Sequence, residues 1–204
     1  MSGRSGPKIA ACALLALLAG ATAAAEDLGV FAGGTPAEGY LLMVGDPKRW
    51  DVQVGADGAT TYAGYLEARP SGDGAIEATW NGEGDAQLFL AGIEPLDLGP
   101  MVAADGALVL LLSVADAPDD DVELRIGCGY PCGASAQVEK LLGALPTGEW
   151  FRVSFDLRCF ADQGLEPGKV DAPFLLLTDS AMKLSIADVG FVEGLGPKAT
   201  VRCR

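Results

Sequence analysis

Short apolar runs separated by turn-forming residues recur along the chain from Gly39 onward. The turns contain Asp-Gly, Asn-Gly and Pro-Ser-Gly combinations, which favour tight reversals of the backbone. Turns every 8 to 15 residues are typical of antiparallel sheets in a sandwich or barrel. The runs predict strands at Tyr40–Val44, Trp50–Val54, Tyr62–Ala68, Ala75–Trp80, Ala86–Ala91, Ala107–Val114, Val122–Ile126, Trp150–Leu157, Phe174–Thr178 and Lys183–Val192.

The runs differ in how many of their faces are apolar. Ala107–Val114 is apolar on both faces, which indicates a strand covered on both sides, whereas Trp150–Phe155 has one mixed face. Gln137–Leu145 places its apolar residues on one side of a short helix, and a second helical turn is expected after Cys159. Sheets with so few helices cover each other, so the pattern predicts an all-β fold of two packed antiparallel sheets with one or two short helices.

Residues 1–25 have the order of a cleaved secretory signal peptide. Arg4 and Lys8 give a positive start, an apolar core runs over Ile9–Leu18, and small residues follow at 21–25. The core is about ten residues long, which is short of the roughly 20 that span a bilayer. A buried apolar helix is the alternative, but the order of charge, core and small residues favours export to the periplasm or the medium.

The rest of the chain is expected to form one domain. Cys12 sits in a string that resembles a lipoprotein signal, but most of the apolar core follows it, which argues against lipidation. Residues 26–38 are rich in Gly and Ala and are expected to be a loose, flexible lead-in. Residues 39–204 then form the sandwich domain, which is long enough for a sizeable core.

Acidic residues outnumber basic ones by 28 to 14 in this chain. The net charge is −14, and it becomes −16 without the two basic residues of the signal. A field of this sign repels phosphate backbones, so nucleic acid is not expected as a partner. No second apolar run approaches membrane length, so the domain is not expected to span a membrane.

Four cysteines follow the signal, and an even number in an exported chain favours disulfides. We favour a bond between Cys128 and Cys132, which are close in a Gly-rich segment. A second bond would join Cys159 to Cys203 and tie the last strand to the body. The alternative is a zinc site, but the chain has no histidine, so zinc would need all four thiolates.

The second half of the chain carries an ordered series of short motifs. They are Trp80-Asn81-Gly82, Leu88–Gly92, Pro95-Leu96-Asp97-Leu98, Ala107-Leu108, Ala117-Pro118, Gly127-Cys128-Gly129 with Cys132-Gly133, Gly148-Glu149-Trp150, Phe155–Phe160, Gly164, Pro173-Phe174 and Thr178. In order and spacing the series resembles the ExoP galactose-binding-like domain, the C-terminal module of exo-acting β-glucosidases and glucanases of glycoside hydrolase family three. The resemblance covers roughly Gly39 to Val192.

This resemblance implies a jelly-roll β-sandwich that serves as an accessory to a glucan hydrolase. Many such sandwiches bind carbohydrate on a sheet face or at loop tips. In the family the module follows two catalytic domains, and the chain has no room for them beside the signal. The resemblance therefore implies a stand-alone, non-catalytic module, with β-glucan or a related glycan as ligand and a glycosidase as a possible partner.

Sugar sites need a flat aromatic face for the apolar side of a pyranose and polar groups for its hydroxyls. The candidate ligand contacts are Trp50, beside Arg49 and Asp51; Trp80, at the end of a strand; and Tyr130, inside the short cysteine loop. Packing in the core is the alternative for each of the three. Trp150 begins an apolar strand and is expected to be core.

A cluster of aspartates follows the Ala107–Val114 strand. Asp116, Asp119 and Asp121 are weak candidates for a structural calcium site, because hard cations take several carboxylate and carbonyl oxygens. The alternative is a solvated hairpin. No other cofactor is expected.

Enzymatic activity is not expected from these residues. A serine triad with histidine is excluded, because the chain has no histidine. Pairs of carboxylates occur by chance among so many acidic residues, so their number gives no support for a glycosidase. The sequence therefore favours a carbohydrate-binding module, with a protein-interaction module that docks to a hydrolase or to envelope components as the rival hypothesis.

Overall fold

The computed structural model describes residues 27–202, without the side chains of residues 49–51. The signal-peptide prediction for residues 1–25 lies outside the described residues. The strands are β1 (Asp27–Ala32), β2 (Thr35–Pro36), β3 (Tyr40–Asp46), β4 (Arg49–Gln53), β5 (Thr60–Tyr62), β6 (Leu66–Pro70), β7 (Ile76–Asn81), β8 (Ala86–Gly92), β9 (Ala107–Asp116), β10 (Val122–Gly127), β11 (Gly133–Gln137), β12 (Trp150–Asp156), β13 (Ala172–Thr178) and β14 (Ala181–Val192). The helices are α1 (Gly99–Ala103), α2 (Glu139–Ala144) and α3 (Leu157–Ala161), with 3-10 turns at Pro167–Lys169 and Gly196–Lys198.

The strands form two antiparallel sheets. The six-stranded sheet has the order β11-β10-β13-β8-β3-β4. The eight-stranded sheet has the order β12-β9-β14-β7-β6-β5, with β1 paired to β14 and β2 paired to β1. This arrangement confirms the predicted all-β sandwich of two packed sheets.

The core lies between the inner faces of the two sheets. On β7 the inward residues Ile76, Ala78 and Trp80 are buried, and the residues between them point outward. Strand β10 alternates in the same way, and its buried side chains join the same cluster. This period of two follows from the pleat of a strand. Burial of each large aliphatic side chain stabilises the fold by about 1.5–3 kcal/mol.

Strand β9 is covered on both faces, as its apolar sequence predicted. Leu108 and Leu110 face the core between the sheets. Ala107 and Val109 point the other way and pack against Ala199, in the segment that follows the last 3-10 turn. The C-terminal segment therefore acts as a partial third layer over the eight-stranded sheet.

Residues 27–36, expected to be a loose lead-in, instead form β1 and β2. Strand β1 pairs with the second half of β14, and Leu28 lies opposite Phe191. Gly190 permits this pairing, because a Cβ atom there would lie 2.9 Å from the Leu28 carbonyl oxygen. The apolar residues of this strand, Leu28, Val30 and Phe31, do not alternate, which is why the pattern did not indicate a strand.

The predicted strand Tyr62–Ala68 is wrong, because the chain reverses within it. Ala63 and Gly64 both have positive φ, at 49° and 78°, and the Tyr65 amide donates to the Tyr62 carbonyl oxygen at 2.8 Å. The segment is therefore a hairpin that joins β5 to β6. A lone Ala-Gly pair is a weaker turn signal than the Asp-Gly and Asn-Gly pairs elsewhere.

Two of the three helices within residues 27–202 were predicted. Helix α2 lies inside the predicted range Gln137–Leu145 and buries Leu142. Helix α3 begins after Asp156, whose carboxylate accepts a hydrogen bond from the Arg158 amide at 3.0 Å. Helix α1 was not expected, so the predicted number of one or two short helices was too low.

In the part of the chain that the structure describes, no helix has the length and hydropathy needed to cross a membrane.

The Cys128–Cys132 disulfide is present, as predicted. It closes the loop between β10 and β11. Cys159, on α3, is also disulfide-bonded. Its predicted partner Cys203 lies outside the described residues, so that pairing stays a prediction.

Candidate functional site

Outward-facing side chains of the six-stranded sheet form rows, because opposite residues in antiparallel strands point to the same side. Near the middle of this face, Gln87, Phe89 and Leu175 are buried although they point outward. An open part of the face lies beside them, toward β10 and β11. One row across the face contains Ser135, Arg125, Leu175, Phe89 and Met43.

A shallow groove opens over β8, β13 and β10, and we call it the loop groove. Its volume is about 140 Å³, which is below the roughly 300 Å³ of a typical small-ligand pocket. The groove can therefore hold part of a longer ligand but cannot enclose one. Its lining includes Pro47, Gln87, Arg125, Tyr130, Asp171 and Leu175.

The disulfide loop forms one wall of the loop groove and presents Tyr130, which is 96% exposed. The Cys128–Cys132 bond closes the loop, and the Cys132 amide donates to the Gly129 carbonyl oxygen at 2.6 Å. Gly129 has a positive φ of 86°, and its amide donates to the Asp171 carboxylate at 3.0 Å. The loop is thus fixed at both of its ends, and an aromatic ring projects from it into solvent.

A network around Asp46 holds the turn that carries Pro47, the other wall of the loop groove. The buried Gln87 side-chain amide donates to the Asp46 carbonyl oxygen at 3.0 Å. The Asp46 carboxylate accepts from the Lys48 amide at 2.6 Å and from the Tyr62 hydroxyl. These bonds tie the turn to the sheet and to β5, so this wall is also ordered.

The loop groove combines an aromatic surface with charged groups of both signs. The Arg125 side chain is 39% exposed, and its Nε lies 3.8 Å from the Glu123 carboxylate, which leaves guanidinium donors directed at solvent. The Asp171 carboxylate supplies acceptors on the same side as Tyr130. A ligand with one apolar face and many hydroxyl groups would match such a surface.

The structure separates the three candidate aromatic contacts. Tyr130 lines the loop groove. Trp80 is 2% exposed and belongs to β7 of the other sheet, where its indole N–H donates to the Ala86 carbonyl oxygen at 3.0 Å. Trp80 is therefore a core residue and not a ligand contact. Trp50 lies in β4, at the edge of the six-stranded sheet, and its side chain is not among those described.

Trp150 was expected to be core, but it is 41% exposed on β12. It lies opposite Ser113 on the outer face of the eight-stranded sheet. The alternation of β12 begins one residue later, with Phe151, Val153 and Phe155 pointing inward. Two adjacent aromatic residues cannot both face the core of a regular strand, so the sequence could not tell which of them was buried.

The aspartates proposed as calcium ligands lie at the end of β9 and in the loop that follows it. The Asp119 carboxylate accepts from the Ser180 hydroxyl at 2.9 Å, and that hydroxyl oxygen also accepts from the Asp119 and Asp120 amides. Asp116 lies opposite Lys183 in the sheet. Among residues 27–202, no three acidic or cysteine side chains are placed to hold a metal ion. The cluster lies at the connection from β9 in one sheet to β10 in the other, and Ser180 fastens it.

Three residues of the loop groove were not identified from the sequence, namely Gln87, Arg125 and Asp171. Gln87 is a polar residue inside an otherwise apolar strand, and this feature could have drawn attention to it. Arg125 alternates with buried apolar residues, as Glu123 does, so nothing in the pattern marks it. Asp171 precedes a strand and has no such signal. Only the fold brings it next to the disulfide loop, 42 residues away from Gly129.

Two antiparallel sheets packed face to face, with a groove on an outer face, define a β-sandwich module. The family model Exop_C, described as galactose-binding domain-like, matches residues 68–191. The chain belongs to this family. No curated protein matches it.

Solved structures share the fold at low sequence identity. The extra C-terminal domain of the exo-1,3/1,4-β-glucanase ExoP from a Pseudoalteromonas species is 18% identical, with a TM-score of 0.62, over 80% of this chain and 91% of that domain. Against the ExoP enzyme the identity is 19% and the TM-score 0.65, over 93% of this chain but 22% of the enzyme. The family 30 carbohydrate-binding module of a Clostridium thermocellum cellulosomal cellulase is 15% identical, with a TM-score of 0.56, over 83% and 98% of the two chains.

Proposed function

We propose that this chain is an exported, non-catalytic module that binds a glycan, β-glucan or a related polysaccharide, in the loop groove. The observation that carries the proposal is the placement of Tyr130. A tyrosine ring that is 96% exposed contributes little to folding, yet a disulfide and a hydrogen bond to Asp171 fix the loop that bears it. A ring held in this way can stack on a pyranose without a large loss of conformational entropy on binding.

The charged groups beside the ring support the same ligand. Arg125 offers donors and Asp171 offers acceptors, and both suit the hydroxyl groups of a sugar that lies across Tyr130. The shallow shape suits one or two units of a polymer whose remaining units stay in solvent. Since hydroxyls are uncharged, such a ligand meets no repulsion from the chain's net charge of −14.

The comparisons support the glycan class and suggest its linkage. One similar structure is a carbohydrate-binding module, and another is a domain of an exo-1,3/1,4-β-glucanase. We therefore propose β-1,3/1,4-glucan as the first ligand to test. We also propose that the module serves a glycoside hydrolase, and that the segment 1–25 directs it out of the cytoplasm.

The test compares the affinities of the wild type and Tyr130→Ala for soluble β-1,3/1,4-glucan, measured by titration calorimetry. Stacking buries roughly 60 Å² of ring, which is worth about 1.5 kcal/mol at about 25 cal/mol per Å², so Kd should rise about tenfold. Tyr130→Phe is the matched control, because it keeps the ring and should bind like the wild type. The thermal unfolding midpoint should be unchanged in both variants, because the side chain is exposed.

Two results would overturn the proposal. One is the absence of binding to any β-glucan by a folded wild-type protein. The other is a Tyr130→Ala variant that binds glucan as tightly as the wild type does.

A further inference from the structure

A second and larger groove lies on the opposite side of the molecule, on the outer face of the eight-stranded sheet. Its volume is about 350 Å³, which falls within the range of small-ligand pockets. Strands β1, β14, β9 and β12 form it, and none of its lining residues belongs to the loop groove. We call it the glycine groove, after the two residues at its floor.

The floor is deep because two glycines face each other there. Gly29 of β1 lies opposite Gly190 of β14, and Gly190 lies opposite Val109 of β9. Neither glycine has a side chain to fill the outer face, so the sheet is depressed along this row. A Cβ atom at Gly190 would meet the Leu28 carbonyl oxygen at 2.9 Å, whereas one at Gly29 would meet nothing within 4 Å. The groove can therefore be filled at Gly29 without a clash.

Two charged side chains line the glycine groove, and an exposed indole ring lies beside it. Arg152 and Asp188 are the two cross-strand neighbours of Leu111, so their Cα atoms are roughly 10 Å apart, with an apolar side chain between them. The Asp188 carboxylate accepts one hydrogen bond, from the Gly33 amide at 3.1 Å. Within residues 27–202, the Arg152 guanidinium has neither a hydrogen-bond partner nor an ion-pair partner. Trp150 projects from the same face of β12, two residues before Arg152.

We infer that the glycine groove is a second binding site, for a neutral oligosaccharide. Its apolar floor at Leu111 can cover the C–H face of a sugar ring, while the donors of Arg152 and the acceptors of Asp188 reach hydroxyls on either side. Trp150 supplies an exposed indole face for an adjoining unit of the chain. The inference shares its ligand class with the proposed function but uses none of the same residues.

The negative charge around this groove favours neutral ligands over acidic ones. Asp27 and Asp188 line it together with one cation, Arg152, in a chain of net charge −14. An acidic oligosaccharide would meet net repulsion. A neutral ring meets none, and it can use donors and acceptors together.

Two sites on opposite faces would make the module bivalent. Sheets in a sandwich pack about 10 Å apart, so the two grooves point away from each other and one straight glycan chain cannot occupy both. The module would therefore link two glycan chains. Binding to a polysaccharide should be tighter than binding to a short oligosaccharide, because the second contact becomes intramolecular.

The experiment is titration of the isotope-labelled protein with neutral tetrasaccharides of the β-1,3/1,4-gluco, xylo and manno series, followed by amide and indole NMR shifts. The full chain is compared with Gly29→Val, which fills the glycine groove, and with Tyr130→Ala, which impairs the loop groove. Gly143→Val is the matched control, because a Cβ atom at this exposed helical position also meets nothing within 4 Å. Each variant is first checked for an unchanged thermal midpoint.

A neutral tetrasaccharide should shift the signals of the Trp150 indole, the Arg152 Nε–H and the Gly29 amide. Gly29→Val should weaken that set of shifts by about tenfold in Kd, while Tyr130→Ala and Gly143→Val should leave it unchanged. Shifts that stay confined to the 128–132 loop would overturn the second site and leave the proposed function intact. Shifts confined to the glycine groove would support the second site and count against the loop groove.

Two further outcomes would also overturn the inference. One is no shift at the Trp150 indole with any of the neutral tetrasaccharides at millimolar concentration. The other is a preference of this groove for an acidic oligosaccharide, such as tetragalacturonate, over all of the neutral ones.

Discussion

The disulfide of the 128–132 loop can be removed by replacing both Cys128 and Cys132 with serine. Its ends are only four residues apart in sequence. For a closed loop of about five residues, the chain-entropy relation gives a stabilisation of about 2 kcal/mol at 25 °C. We therefore expect the double variant to lose about 2 kcal/mol of unfolding free energy. The loss arises because the unfolded chain becomes freer.

Glycan affinity should fall much less than stability. In the folded state the strands on either side of the loop stay paired as far as Gly127 and Gly133. The Gly129 amide remains bonded to Asp171, so Tyr130 keeps its position beside the loop groove. We expect the affinity loss of the double variant to be smaller than that of Tyr130→Ala.

Urea unfolding, monitored by fluorescence, measures the change in unfolding free energy. Substitution is preferable to a reducing agent, because Cys159 is also disulfide-bonded and a reductant would attack both bonds. The midpoint should fall while the m-value stays nearly constant, since the unfolded chain exposes almost the same surface. A loss below about 0.5 kcal/mol, or an affinity loss as large as that of Tyr130→Ala, would refute the reasoning.

Three further predictions concern single residues. Trp80→Phe removes a buried indole and its hydrogen bond, so the unfolding free energy should fall by roughly 2–3 kcal/mol in urea, with glucan affinity unchanged. Asp171→Ala removes the acceptor of the Gly129 amide, and the Kd for glucan should rise about fivefold by calorimetry. The hydrogen bond from Lys183 lowers the pKa of Glu77 below its ordinary value of about 4.5, so this pair stabilises the fold fully above that pH, and the contribution is lost as the pH falls through the lowered pKa. Glu77→Gln should remove up to about 1 kcal/mol of that acid dependence in thermal unfolding.

Most of the strands could be predicted from the sequence, because a buried face imposes a period of two. Strands and turns were missed where small residues form most of the segment or interrupt its apolar pattern. Strand β11 is built largely from glycine, alanine and serine, and the apolar residues of β1 do not alternate, so both patterns are weak. The turn at Ala63-Gly64 has no Asp, Asn or Pro to mark it. In these segments, pairing with a neighbouring strand decides the conformation, and a single chain segment does not reveal its partner.

The candidate site could be predicted only in part. The spacing of Cys128 and Cys132 indicated a pinned loop, and the loop does present Tyr130. The sequence could not separate Trp80 from Trp150, because each lies at one end of an apolar strand where either face is open to it. The register of each strand in its sheet determines which of the two tryptophans is buried. Trp80 falls on the inner side of β7, and Trp150 falls on the outer side of β12.

The outer faces of the two sheets have a common arrangement, in which a packed region lies beside a groove. On each face one region is packed over, at Phe89 and Leu175 in one sheet and at Val109 in the other. Loops or neighbouring strands form walls beside that region, and the space between the walls is the groove. The floors belong to strands that also face the core, so truncating their apolar side chains alters stability together with binding. The walls, with Tyr130 on one face and Arg152 on the other, touch the core little. Substitutions in the walls should therefore alter ligand affinity and leave the fold intact.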